Sequence, residues 1–126
     1  MDIKDKTLLR QQAFIDGVWR SAADGTVIAI RDPADGSTVG EVPVMGAAET
    51  REAIAAAARA LPAWAKRTAK ERAAILRRFA DLMTANTDDL AVIMTREQGK
   101  PLAEARGEIA YAASFLEWFA EEGKRL

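Results

Sequence analysis

PLAEARGEIAYAASFLEWFAEEGKRL, residues 101–126, is the stretch whose reading decides the fold. Leu102, Ala105, Ile109, Ala112, Leu116 and Phe119 recur at alternating spacings of three and four, which is one apolar seam on an α-helix. A second line, Glu104, Glu108, Tyr111, Phe115 and Trp118, runs beside it. Exposing Leu102, Ile109, Leu116 and Phe119 would forgo about 6–12 kcal/mol at ~1.5–3 kcal/mol each, as much as holds a whole domain together. This helix, opened by Pro101 and expected to run to Leu126, therefore needs a partner.

Upstream the same 3.6-residue period continues back to Met45. A first helix is expected from Gly46–Glu49, with Ile54, Ala57, Ala58 and Leu61 on one face and Pro62 as its end. Thr68-Ala69-Lys70-Glu71 has the form of a capping box, so a second helix should start near Ala69. Its expected buried stripe is Ile75, Leu76, Phe79, Leu82 and Met83, with Asn86 as a left-handed cap. Thr87 is read as the cap of a third helix, with Asp88 and Asp89 in its first turn where the helix dipole favours them, and Gly99 as its stop.

Residues 14–43 follow a different rule. Phe14-Ile15-Asp16-Gly17-Val18-Trp19 sets an Asp-Gly pair between apolar dipeptides and reads as a tight hairpin. Thr26–Ile30 and Thr38–Val42 read as short strands around the turn Asp32-Pro33-Ala34-Asp35-Gly36, with Pro43 closing the second.

The composition excludes several chemistries. With no Cys and no His among 126 residues, there is no thiol nucleophile, disulfide, imidazole base or Cys/His zinc site. A net charge of −1 offers no general attraction to nucleic acid or anionic membrane, and no apolar stretch approaches the ~20 residues that span a bilayer. A cytoplasmic chain is expected. Glu97, Glu104 and Glu108 read as structural ion-pair or capping groups, with Lys100 and Arg106 as available partners, because the His of a di-iron bundle is missing. Lys66, Arg67, Lys70, Arg72, Arg77 and Arg78 read as a solvated helix face rather than a nucleic-acid footprint. Gly99-Lys100 lacks the remainder of a phosphate loop, and no Gly-rich strand-to-helix turn for a dinucleotide is present.

The run from Met94 to Leu126 resembles the N-terminal region of the aldehyde dehydrogenase superfamily, in particular its succinate-semialdehyde dehydrogenase branch. The pattern E-x-GKP-x-x-EA-x-GE stands here as Glu97, Gly99-Lys100-Pro101, Glu104-Ala105 and Gly107-Glu108. LLRQQ (8–12), FIDGVW (14–19), RDPADGSTVGEVP (31–43) and ALPAWAKRTAKERAAILRRF (60–79) are similar to the same branch in the same order, and SFLEWFAEEGKR (114–125) is the most specific segment.

The resemblance implies an α/β fold of which residues 1–126 would be the N-terminal part of the NAD(P)-binding domain. Residues 1–45 would be its strand and turn region and residues 46–126 its four helices, which cover the sheet of that domain. It implies oxidation of an aldehyde, succinate semialdehyde to succinate, with NAD+ or NADP+, in a homodimer or homotetramer. In that family a cysteine attacks the aldehyde, an amide side chain and a backbone amide hold the oxyanion, hydride passes to the nicotinamide, and a glutamate activates water. None of these groups, and no cofactor or metal ligand, matches a residue of this chain, which is expected to be a truncated piece, inactive alone and needing the remainder of its subunit. The one site that carries over is the wall of the aldehyde tunnel, whose positions match Gly107 and Tyr111, with Phe115 one turn further. Read without the resemblance, the chain would be a free-standing helical module that binds a partner protein through the fourth-helix face.

Overall fold

The computed structural model describes residues 2–125. Strands β1 (Ala13–Ile15) and β2 (Val18–Arg20) pair antiparallel, placing Phe14 opposite Trp19 around the Asp16-Gly17 turn. Both turn residues hold positive φ, 53° and 78°, the left-handed geometry that a two-residue hairpin demands. Strands β3 (Val27–Arg31) and β4 (Thr38–Pro43) form a second antiparallel hairpin, whose register shifts between Ile30 and Arg31 just before the Asp32–Ser37 turn. Helices α1 (Ala47–Ala65), α2 (Ala69–Ala85), α3 (Thr87–Gln98) and α4 (Leu102–Glu122) follow. A single 3-10 turn at Lys6–Leu8, not anticipated from the sequence, precedes the strands. The expected architecture of a hairpin and short strands followed by four helices is present.

Helix α4 is the centre of the molecule, packed on α2 and on α3, while the principal neighbour of α1 is β1. Besides Asp89, the buried residues of the α2–α3–α4 layer are small and apolar: Ala73, Ala80, Ala91, Ala105, Ala113 and Ala120, with Ile109 as the one large apolar side chain. Alanine lets helix backbones approach closely, so the contact is made with little side-chain volume.

That choice of small residues corrects the expected buried faces. On α2 the inward line is Ala73, Leu76, Ala80 and Met83, the leucine and methionine half-buried, whereas Ile75, Phe79 and Leu82 are exposed. On α4 the line turns toward Ala113 and Ala120, leaving Phe119 exposed. On α1 the buried residue is Ala56, while Ile54 and Leu61 lie in the open. Helix α1 meets the first hairpin through Ala53, Ala56, Ala57 and Ala60, which line a groove with Phe14 and Ile15.

Four helix boundaries also differ from the expectation. Pro62 does not end α1, which runs three residues further; it forfeits one amide in the last turn, and its carbonyl still accepts from the Lys66 N–H at 3.2 Å. Asn86 is not left-handed (φ −107°), and its side-chain amide donates to the Leu82 carbonyl at 2.8 Å. Thr87 does not cap α3; it is the first helical residue, and its hydroxyl turns back to donate to the Thr84 carbonyl at 2.8 Å. Helix α4 stops at Glu122, with Gly123 as its C-cap, rather than continuing to Leu126, which lies outside the described residues.

Other signals match. Thr68 Oγ1 accepts from the Glu71 N–H at 3.2 Å while Glu71 Oε2 accepts from the Thr68 N–H at 2.8 Å, which completes the capping box. Gly99 ends α3 in the left-handed region at φ 77°.

Candidate functional site

Gly107, Tyr111 and Phe115, the positions expected from the resemblance to line a tunnel, lie on the outer side of α4 at successive turns. The rings of Tyr111 and Phe115 meet edge-to-face at 4.8 Å between centroids, although Tyr111 is 65% and Phe115 48% exposed. Ser114 donates its hydroxyl to the Tyr111 carbonyl at 2.7 Å, so its oxygen is turned back onto the helix. Together with Trp118 and Phe119 these residues line a shallow, mostly apolar groove of about 380 Å³. Gly107 is not one of its walls. A Cβ built on it would meet nothing within 4 Å, so packing within the described residues does not call for a glycine there. The structure thus unites Tyr111 with Phe115 and leaves Gly107 as a bare turn of helix ahead of them.

Ser114, Trp118 and Phe119 belong to the same groove and were not assigned to it from the sequence. Their spacing from Tyr111, three, seven and eight residues, is the signal that could have found them.

Most charged groups around α4 are paired, but of the three glutamates expected as ion-pair groups only Glu108 is; among the described residues Glu97 and Glu104 form no ion pair. Lys100 forms an ion pair with Glu108, and this hydrogen-bonded partner, helped by the field of Glu104, raises the Lys100 pKa against the effect of burial. Arg106 pairs with Asp88 at 2.9 Å, not with the glutamates. In the basic cluster, Arg77 reaches across from α2 to Glu117 at 2.8 Å and Glu121 at 3.1 Å on α4, and Arg72 donates to the Arg67 carbonyl at 2.6 Å. Arg77 thus ties α2 to α4, while Lys66, Arg67, Lys70 and Arg78 are exposed, as expected of a solvated helix face. Among the described residues no group of three Asp or Glu side chains is placed to hold a metal ion.

Two carboxylates have roles that the sequence did not signal. Asp89 accepts the Lys4 and Asp5 amides at 2.9 and 2.8 Å, holding the N-terminal segment against the start of α3. Those two hydrogen bonds, Asp5 first, and the nearby Lys4 charge lower its pKa against burial. Asp32, 2% exposed, is paired with Arg96 at 2.9 Å.

The model of the aldehyde dehydrogenase family matches residues 19–126. The chain belongs to the aldehyde dehydrogenase family. Among curated relatives, this chain is 64% identical to the glutarate-semialdehyde dehydrogenase of Pseudomonas aeruginosa over 126 residues, which are 100% of this chain and 26% of that protein. It is 62% identical, with the same coverage, to GabD of Escherichia coli, named as a succinate-semialdehyde dehydrogenase [NADP(+)]. The crystal structure of succinate-semialdehyde dehydrogenase from Burkholderia pseudomallei superposes with a TM-score of 0.96 at 62% identity, over 99% of this chain and 26% of that one. The chain therefore spans about a quarter of the length of the relatives it matches. Among the described residues no helix is long and apolar enough to cross a membrane.

Proposed function

We propose that this chain is the N-terminal part of the NAD(P)-binding domain of a dehydrogenase that oxidises a short semialdehyde carrying a carboxylate to the corresponding dicarboxylate. The observation that carries this reading is identity above 60% along the whole chain to enzymes named for succinate and glutarate semialdehyde. The resemblance implies succinate semialdehyde, and relatives named for glutarate and for succinate semialdehyde match at 64% and 62% identity, so both substrates belong to the proposal.

In this reading the chain contributes scaffold and a wall for the incoming aldehyde, and no reacting group. It contains no cysteine to serve as a nucleophile. Its described strands pair only in antiparallel hairpins, not in the parallel βαβ unit against which a dinucleotide lies, so nicotinamide binding is assigned to residues outside this chain. The wall is the outer side of α4: Gly107 supplies an unobstructed turn, and the crossed rings of Tyr111 and Phe115 supply an apolar surface past which a small aldehyde can move. Family membership leaves the alternative of a free-standing interaction module without support.

The test is the reading frame that encodes this chain, expressed in full and assayed with succinate and glutarate semialdehyde against NAD+ and NADP+. Nicotinamide reduction with at least one pair is expected, and none with either semialdehyde would refute the proposal. Light scattering on the same preparation tests the homodimer or homotetramer that the resemblance implies.

A further inference from the structure

The β3–β4 turn and the end of α3 are joined by an arrangement that local structure does not require. Asp32 begins the turn, and its Oδ1 accepts from the Ala34 N–H at 2.8 Å. Its own N–H donates to the Ser37 carbonyl at 2.9 Å, and its carbonyl accepts from the Gly36 N–H at 2.8 Å. The turn is therefore closed on itself. The remaining oxygen, Oδ2, meets Arg96 Nη1 at 2.9 Å, while Arg96 Nη2 reaches Ser37 Oγ at 3.3 Å, so one guanidinium grips both ends of the turn. Three residues later the chain passes Gly99, packed against Pro33 of the same turn. Lys100 then crosses the corner to Glu108, the neighbour of Gly107 on α4.

Asp32 is buried and Arg96 half-buried, so desolvation of the carboxylate offsets much of the attraction; what the pair does supply is a fixed geometry. We infer that Asp32 and Arg96 are positioning residues that set the α3–α4 corner, and through it the stance of the Gly107–Tyr111–Phe115 side of α4, relative to the β3–β4 hairpin. The relay runs from turn to Arg96, from α3 to the short Gly99-Lys100-Pro101 link, and from Lys100 to Glu108. Its consequence for aldehyde entry rests on the function proposed above; the positional claim does not.

The test uses the full reading frame with Arg96→Met, Arg96→Lys and Asp32→Asn, followed by hydrogen exchange in peptides. Arg96→Met is expected to speed exchange across residues 99–115 at least about tenfold, because the corner opens more often. Asp32→Asn acts on the same residues, Arg96→Lys restores most of the protection, and the capped start of α2 at Thr68–Glu71 is unchanged. Acceleration confined to residues 32–37 and 95–98 would overturn the inference, as would uniform acceleration that includes Thr68–Glu71 in both Arg96→Met and Asp32→Asn. In the same preparations KM for the semialdehyde should rise more than kcat falls. Altered exchange beside unchanged kinetic constants would remove the tunnel from the proposed function and leave the positioning role standing.

Discussion

Pro33 packs so closely on Gly99 that a Cβ built on the glycine would lie 2.8 Å from Pro33 Cγ. Gly99 also holds φ at 77°, a conformation that costs an L-residue steric strain. Gly99→Ala meets both obstacles at once. It is expected to destabilise the fold by about 1–3 kcal/mol, seen as a lower urea midpoint at unchanged slope. An unchanged midpoint would mean that the turn yields and that Pro33 and Gly99 are not tightly opposed.

Gly107→Ala should do the reverse. The position is inside α4, has no positive φ, and has open space where a Cβ would go. Alanine there should stabilise the helix by about 0.5–1 kcal/mol. If the bare turn serves aldehyde passage, the same substitution in the full reading frame lowers kcat/KM for the semialdehyde while the thermal midpoint rises. A fall in both would place Gly107 in packing instead.

Acid should release the N-terminal segment from α3. The two amides that donate to Asp89 depress its pKa in the folded chain, so its contribution is complete above the ordinary aspartate range and is lost as pH falls through the lower, folded value. The Lys4 charge works in the same direction, and the neighbouring Asp5 carboxylate carries a like charge. The amide signals of Lys4 and Asp5 should move together in an NMR titration, with a midpoint below the usual aspartate range. Asp89→Asn, which keeps one acceptor oxygen and turns an amide group toward the other donor, should abolish that step. A step that survives in the variant would assign it to Asp5.

Thr68→Ala removes the hydroxyl that accepts from the Glu71 N–H. The expected loss is about 1 kcal/mol of stability, with faster amide exchange concentrated at residues 69–72. Thr68→Ser should recover most of it, and equal losses in the two variants would show that the methyl group, rather than the hydroxyl, matters.

Local rules were readable wherever a few neighbouring residues sufficed. Asp16-Gly17 specified the first hairpin, Thr68 with Glu71 the start of α2, and Gly99 the end of α3, whereas which of Glu97, Glu104 and Glu108 would meet Lys100 was settled only by the fold. The burial of the helices was less legible. Periodicity weighted the large residues Ile75, Phe79, Leu82 and Phe119, yet the helices meet through Ala73, Ala80, Ala113 and Ala120. An alanine-rich helix offers several faces of similar apolar character, and backbone approach, which no local pattern encodes, selects among them.

The candidate site divides in the same way. The motif order along residues 94–126 was enough to indicate the family and to single out Gly107, Tyr111 and Phe115. The fold added that Tyr111 and Phe115 share a groove with Ser114, Trp118 and Phe119, while Gly107 stands a turn away. By itself the sequence determined the order of the strands and helices, the Thr68 cap, the Gly99 stop and the family, because each can be read from short runs of neighbouring residues. Only the tertiary structure decided that Asp89 would hold amides 84 and 85 positions away, and that Arg96 would close on Asp32 and on Ser37, 59 positions off. Contacts at such separations exist only after the elements have packed, and packing is fixed by the sum of many small apolar contacts rather than by any one local signal.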